Sequence, residues 1–179
     1  LPAQIADMSI LTRDEILKEV EAGRIVIEPF DPALVGPASV DLRLGREFRV
    51  FRKSRDVVTI TPDIDYDAVT EKIVVNGRLV LMPGETVLGL TLERITLPDN
   101  LCGWLEGRSR FARLGLLVHV SASFMQPGIA NHQVLELSNF SPMPLAVSPG
   151  LPICQFIFQR TIGQARYDGR FREQDTERF

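Results

Sequence analysis

Apolar and polar residues alternate along most of this chain with the two-residue period of β-strands, and one N-terminal stretch keeps the period of a helix. There Ile16, Leu17 and Val20 recur at helical spacing. Thr12-Arg13-Asp14-Glu15 has the form of a capping box, Leu11 and Ile16 stand where a hydrophobic staple would close, and Gly23 is placed to end the element. The pattern predicts a helix over 13–22. Ser39-Val40-Asp41-Leu42-Arg43-Leu44 alternates as a strand. Asn76-Gly77 between Ile73-Val74-Val75 and Leu79-Val80-Leu81 predicts a hairpin. Pro83-Gly84 turns into a strand over 86–92, and further strands are predicted at 116–121, 133–138, 144–147 and 153–158. Twelve prolines and thirteen glycines spread among short strands indicate a mainly β fold, a sandwich or jelly roll. No repeat or linker divides the chain, so it reads as one domain over 8–159 with a tail over 160–179. Residues 1–7 read as an extension or tag remnant, since Met8 stands directly before the helix signal.

With 179 residues, 45% of them apolar, the chain can build one sizeable core. Twenty Lys plus Arg against 23 Asp plus Glu give a net charge of −3. That balance argues against a general nucleic-acid coat and leaves room for a local basic pocket holding one phosphorylated small molecule. Cys102 and Cys154 lie in apolar runs outside any CxxC pair and read as buried free thiols of a cytosolic protein. No apolar stretch has the length of a membrane span, and no signal peptide is visible.

Three features bear on chemistry. In Glu106-Gly107-Arg108-Ser109-Arg110-Phe111-Ala112-Arg113-Leu114-Gly115, three arginines and a serine fall within six residues. If this segment opens a short helix, it offers backbone N–H groups and guanidinium forks to phosphate oxygens; otherwise it is a solvated basic turn. Glu136 lies in a strand whose alternation puts Leu135 and Leu137 on one face and Val134, Glu136 and Ser138 on the other. That second face is either solvent or the wall of a pocket, where desolvation would suit the carboxyl to proton transfer near neutral pH. The third feature is negative. His119 and His132 are not followed by the x-Glu of zinc-dependent base deaminases, and no CxxC exists to complete such a site. His119, inside an apolar stretch, reads as a hydrogen-bonded structural residue. P-loop and Gly-x-Ser-x-Gly motifs are also absent. The tail, with five arginines and four acids, is either frayed or orders over a bound anion.

Taken together, several ordered motifs resemble the dCTP deaminase family of the dUTPase-like superfamily. They are Gly103-Trp104-Leu105-Glu106-Gly107-Arg108-Ser109, Ala112-Arg113-Leu114-Gly115-Leu116, Val118-His119, Pro127-Gly128, Leu135-Glu136 with Asn139, and Pro149-Gly150 before Ile153. Ser39 through Gly45 matches an N-terminal motif of that family, and Tyr167-Asp168-Gly169-Arg170-Phe171-Arg172-Glu173-Gln174 resembles its closing segment. The resemblance spans about residues 8 to 175. It implies a distorted jelly roll (a dUTPase-like β-clip) with one N-terminal helix and short helical turns, assembled as a homotrimer with active sites between subunits. It implies hydrolysis of dCTP to dUTP and ammonia without zinc, with Mg²⁺ carried by the triphosphate and dTTP as an inhibitor. By position, Glu136 is the general base and acid, and Ser109 and Arg113 assemble with it around water. Arg108 and Arg110 face phosphates, and the backbone of Val120, Ser121 and Ala122 reads the cytosine edge. Tyr167 and Arg170 close on the triphosphate and Gln174 on the base region.

The departures from the family pattern are specific. Arg110 replaces a serine. Gln126 stands where the family and the dUTPases have Asp before Pro-Gly, and an amide cannot activate water for phosphate cleavage, which argues against a combined dUTPase activity. Ile129 and Asn131 replace Trp and Gly, with Asn131 expected to keep a left-handed turn. Arg170 and Phe171 replace Lys and Tyr. The competing readings are a dUTP diphosphatase, a non-catalytic nucleotide-binding regulatory trimer, and a deaminase of another cytosine nucleotide.

Overall fold

The computed structural model describes residues 9–179, so the reading of residues 1–7 lies outside the described residues. Helix α1 (Arg13–Glu21) forms where the periodicity places it, with Leu11 and Ile16 buried and Gly23 at φ +68° ending it. The capping box does not form. Thr12 is the N-cap but its side chain makes no cap bond; Glu15 pairs with Lys18 at 2.6 Å, and the Arg13 amide donates to the Pro37 carbonyl at 2.8 Å. A neighbouring segment thus supplies a partner to the helix end.

The strands are β1 (Val26–Glu28), β2 (Val40–Phe51), β3 (Thr70–Val74), β4 (Leu79–Leu81), β5 (Thr86–Thr96), β6 (Leu101–Gly107), β7 (Leu116–Val118), β8 (Phe124–Met125), β9 (Ala130–Asn139), β10 (Leu145–Val147) and β11 (Pro152–Arg160). One helical turn, α2 (Ser109–Ala112), joins β6 to β7. The large sheet runs β7-β9-β5-β2-β11-β6-β8, with β1 on β5 and β3 on β2, while β4 and β10 pair separately. Every pairing is antiparallel. Strand β2 changes partner along its length: residues near Val40 pair with β11, and those near Val50 pair with β3 and β5. Such handovers at register shifts let one sheet curl around a single core, giving the mainly β, jelly-roll character expected. The core includes Leu42, Leu44, Phe48, Leu135, Leu137, Phe156 and Phe158, the last two with rings 4.6 Å apart.

Two strand readings are corrected. The Asn76-Gly77 hairpin does not exist: β3 pairs with β2 and β4 with β10, and neither residue has the positive φ that a type I′ turn needs. Each flanking strand finds a better-buried partner elsewhere, as Ile73 does opposite Phe48. The strand expected over 116–121 stops at Val118, because His119 takes φ +51°. Strand β6, unforeseen, fills the space between β11 and β8.

The buried carboxylate of Glu19 ties α1 to the end of β11. It accepts from Arg24 at 2.5 and 3.1 Å and from Arg160 at 2.6 Å. The hydrogen bond from Arg24, with that from Arg160 and both charges, outweighs burial and holds this carboxyl below its ordinary value of 4.5. Replacing Glu19 with Gln strands two guanidinium partners, one of them half-exposed and screened, at an expected cost of about 1–3 kcal/mol near neutral pH. Because the folded value lies below the unfolded one, this stabilisation is complete above pH 4.5 and disappears as pH falls through the folded value. Urea denaturation of wild type and Glu19→Gln should therefore converge in acid; a pH-independent gap would contradict it.

Candidate functional site

The site is built from the corner where α2 feeds β7 back along β9. Gly115 makes the reversal possible. It holds φ +85°, and a Cβ there would lie 2.8 Å from the Ser141 Cβ and 2.9 Å from its backbone nitrogen. The Phe140 amide donates to the Gly115 carbonyl at 2.8 Å, and β7 then pairs with β9 from Leu116↔Asn139 to Val118↔Leu137. Strict alternation in β9 buries Asn131, Gln133, Leu135, Leu137 and Asn139, and leaves Ala130, His132, Val134, Glu136 and Ser138 half-buried on the other face. Glu136 is thus neither in the core nor in open solvent.

His119 follows the last β7 residue in a left-handed conformation rare outside glycine, a kind of strain that collects at functional sites. Its amide donates to the Glu136 carbonyl at 2.9 Å, and ring Nε2 lies 2.9 Å from the Ala122 carbonyl. A carbonyl only accepts, so Nε2 carries the proton of the neutral ring. The other nitrogen, Nδ1, lies 2.9 Å from Glu136 Oε2. This close approach lacks hydrogen-bond alignment, and both atoms are buried without another partner. The imidazole is 6% exposed and the carboxyl side chain 35%, so the dyad is closed behind and open in front. A proton entering between the two atoms turns a contact of lone pairs into an attraction. The expectation that His119 is hydrogen-bonded holds, but it borders Glu136, which sequence reasoning missed.

The other candidate residues fall into two further groups. At the N-cap of α2, Arg108 binds Asp41 at 3.0 Å and the Pro152 carbonyl at 3.0 Å, and burial raises the Asp41 carboxyl despite the nearby Arg108 and Arg110. Ser109, Arg110 and Arg113 are exposed, and among the described residues Ser109 and Arg113 make no side-chain hydrogen bond or ion pair. Val120, Ser121 and Ala122, beyond His119, are exposed, as is Gln126. The tail forms the last group. The Tyr167 amide donates to the Pro127 carbonyl at 2.9 Å, placing it beside Gln126; Arg170 pairs with Asp65 and stands 5.6 Å from the Phe171 ring; and buried Gln174 donates to the Tyr66 hydroxyl at 2.8 Å. A cleft of about 390 Å³ between tail and β2 is lined by Arg49, Asp65, Tyr66, Arg170 and Gln174 among others. One chain thus unites Glu136 with the loop over 120–122, and keeps Ser109 and Arg113 turned to solvent.

Asn131 corrects an expectation. It is extended within β9 rather than left-handed, and it is buried, with Nδ2 donating to the Phe171 carbonyl at 2.5 Å. Tyr66 and Arg49 carried no signal in the sequence, because their role depends on where the tail lies. Among the described residues no three His, Cys, Asp or Glu side chains converge as metal ligands, and none of the helices is long and apolar enough to cross a membrane.

Comparison with known proteins adds a family context. A family model described as dCTP deaminase-like matches residues 10–161. A Nocardioides protein named "dCTP deaminase, dUMP-forming" is 40% identical over 174 residues, covering 92% of this chain and 91% of the relative. A protein of the same name from Mycolicibacterium paratuberculosis is 46% identical over 160 residues, covering 88% and 84%. In fold, the chain is similar to the crystal structure of the 2′-deoxycytidine 5′-triphosphate deaminase from Agrobacterium tumefaciens, with a TM-score of 0.67 at 22% identity; the match covers 87% of this chain and about half, 49%, of that one.

The crowded Gly115 corner makes a direct prediction. Gly115→Ala forces a side chain into left-handed backbone against Ser141 and should cost roughly 2–3 kcal/mol. For a chain of this size that lowers the melting temperature by roughly 5–10 °C. An unchanged melting curve would mean that the corner is not the constraint described.

Proposed function

The chain belongs to the dCTP deaminase-like family, and from that premise we propose that it hydrolyses the 4-amino group of dCTP, releasing dUTP and ammonia with Glu136 as proton carrier. One observation carries the reading: Oε2 of Glu136 is buried beside His119 Nδ1 without an aligned partner, and the other ring nitrogen of His119 holds the exposed loop over 120–122 through the Ala122 carbonyl. A carboxyl group buried at one oxygen and partly open to solvent can accept a proton and return it nearby.

Water adds to C4 of the cytosine as Glu136 accepts its proton, the C4–N3 π electrons move to N3, and Glu136 delivers that proton to N3. Glu136 then takes the proton of the new C4 hydroxyl and passes it to the exocyclic amine, the bond from C4 to that amine breaks, and ammonia leaves behind a C4 carbonyl. The backbone of Val120, Ser121 and Ala122 would face the cytosine edge, where amides and carbonyls read a base without side chains, with the Ala122 carbonyl shared with His119 Nε2. His119 backs the carboxyl from the buried side and so restricts its rotation. Ser109 and Arg113, whose side chains have no partner among the described residues, would meet the Glu136 of a second copy in a homotrimer and orient water and carboxylate there. The same end of the molecule exposes Leu114, Phe140 and Met143 at 55%, 76% and 57%, an apolar surface suited to such contact.

Arg110 with Arg108, and Arg170 with Tyr167 from the tail, would receive the triphosphate, and Gln174 would close beside the base region. Mg²⁺ would enter on the triphosphate oxygens and neutralise charge that the arginines do not reach; no protein ligand set is needed for that role. A product-like nucleotide such as dTTP would compete for the same pocket. The two buried free thiols suit a cytosolic enzyme.

The relatives named dUMP-forming favour a second reading, in which dUTP is cleaved further at the same site. Gln126 opposes it, since an amide is no base. Incubation with dCTP and Mg²⁺ should yield dUTP and ammonia, with no pyrophosphate by phosphorus NMR; pyrophosphate would establish the second reading. Glu136→Gln should lower kcat by about 10²–10⁴-fold while nucleotide binding persists. Full activity in that variant would place the proton carrier elsewhere.

A further inference from the structure

The tail is bound to its own chain by contacts that need no ligand. The amides of Ala130 and His132 on β9 donate to the carbonyls of Arg172 and Gln174 at 2.9 and 3.0 Å, so the tail lies along the strand edge that β7 leaves free. Between these two rungs Asn131 adds a side-chain bond to the Phe171 carbonyl. Its orientation is fixed from behind: Gln133 Nε2 donates to Asn131 Oδ1 at 2.6 Å, and the Gln133 amide donates to Thr91 Oγ1 at 2.9 Å. Upstream, Gly128 takes φ +75°, and a Cβ there would come within 2.6 Å of the Arg166 side chain, so the tail crosses the turn in direct contact.

Downstream the contacts are apolar and aromatic. Phe179 is fully buried against Leu88 and Leu90, with Val134 and Tyr66 packed beside them. Leu88 is the register partner of Glu136, and Val134 lies two residues from it on the same face. Arg49 grips this end: Nε and Nη2 donate to the Phe179 carbonyl at 3.0 and 2.8 Å, and its guanidinium stands 5.0 Å from the Tyr66 ring centroid.

We propose that Asn131 and Arg49 are positioning residues that dock the tail on β9 before nucleotide arrives, so that Arg170 and Gln174 stand in place in advance. This rests on the deaminase reading for what those two residues touch, but not for the docking itself. Undocked, the tail would leave Asn131 Nδ2 unpaired and Leu88 and Leu90 uncovered. Ordering each tail residue costs about 1–2 kcal/mol of backbone entropy. In a docked tail that cost falls on folding instead of on substrate binding, which is preorganisation. It also differs from the expectation of a tail that orders over a bound anion.

Hydrogen exchange on the nucleotide-free, full-length protein tests this at the Ala130 and His132 amides. Both should be protected. Asn131→Asp keeps size and the acceptor for Gln133 but turns an oxygen toward the Phe171 carbonyl. It should speed exchange at both amides by about tenfold or more, the scale of one buried hydrogen bond lost with its partner stranded. Arg49→Met, on β2 and acting on the tail through Phe179, should act in the same direction, and Arg49→Lys should recover part of the effect. In both loosened variants KM for dCTP should rise about fivefold to tenfold with kcat within about twofold, since the tail residues hold the nucleotide and take no part in the proton transfers. Exchange that is equally fast in wild type and Asn131→Asp, with protection appearing only on adding dCTP, would overturn the docking. Protected amides in a protein that deaminates nothing would leave the docking standing and remove the functional reading.

Discussion

The backbone ladder of β9 is the constraint on which the remaining geometry depends. Along one edge it pairs with β5 from Ala130 to Ser138. Along the other it divides its hydrogen bonds between β7, which takes the C-terminal half, and the tail, which takes the N-terminal half. A β-edge cannot be left unpaired in a buried position, so each half needs its own cover. The dyad of Glu136 with His119 belongs to the first cover and Gln174 to the second. Their separation is therefore a matter of strand rise: four residues from His132 to Glu136 make about 13 Å. No loop flexibility enters that distance.

The inward face of the same strand is unusual for a core. Asn131, Gln133 and Asn139 point where apolar residues are the norm, and each finds partners. Asn139 donates to the Leu81 and Met143 carbonyls at 2.9 and 2.8 Å and accepts from the Ser141 amide and hydroxyl at 2.9 and 2.8 Å. It thereby fixes the small β4–β10 sheet and the 140–143 loop to the strand end. Buried amides with fixed hydrogen-bond partners specify one arrangement where a run of leucines would accept several. Leu135 and Leu137 between them supply the burial, and the amides supply the address.

Much of this was readable in residue order. Period-two alternation identified the face of Glu136, and Gly23 marked the end of α1. What could not be read was pairing. Asn76-Gly77 carries a strong local hairpin signal, yet the strands on either side join different sheets, because burial opposite Phe48 outweighs a favourable turn. Thr12 has the right neighbours for a capping box, but the Glu15 carboxylate pairs with Lys18 instead, and it is the Arg13 amide that finds a carbonyl, that of Pro37, 24 positions on. Asn131 shows the same limit within the candidate site. Its tolerance of left-handed backbone suggested a turn, whereas its use is as an amide donor toward a tail forty residues downstream. Local chemistry fixed the elements; long-range satisfaction of polar groups decided their partners.

The pairing of β2 with β11 bears on how the chain leaves the ribosome. Ser39 and Gln155, bonded side chain to side chain at 3.0 Å, are 116 residues apart. Until β11 emerges, one edge of β2 has no partner, and at ordinary elongation rates of about 5–20 residues per second that interval lasts roughly 6–23 seconds. During it the nascent chain presents an apolar strand edge of the kind that aggregates or recruits chaperones. Vectorial synthesis thus makes the seam of this sheet its most vulnerable line, and synonymous coding changes that hasten the arrival of β11 would shorten the exposure without touching the finished protein.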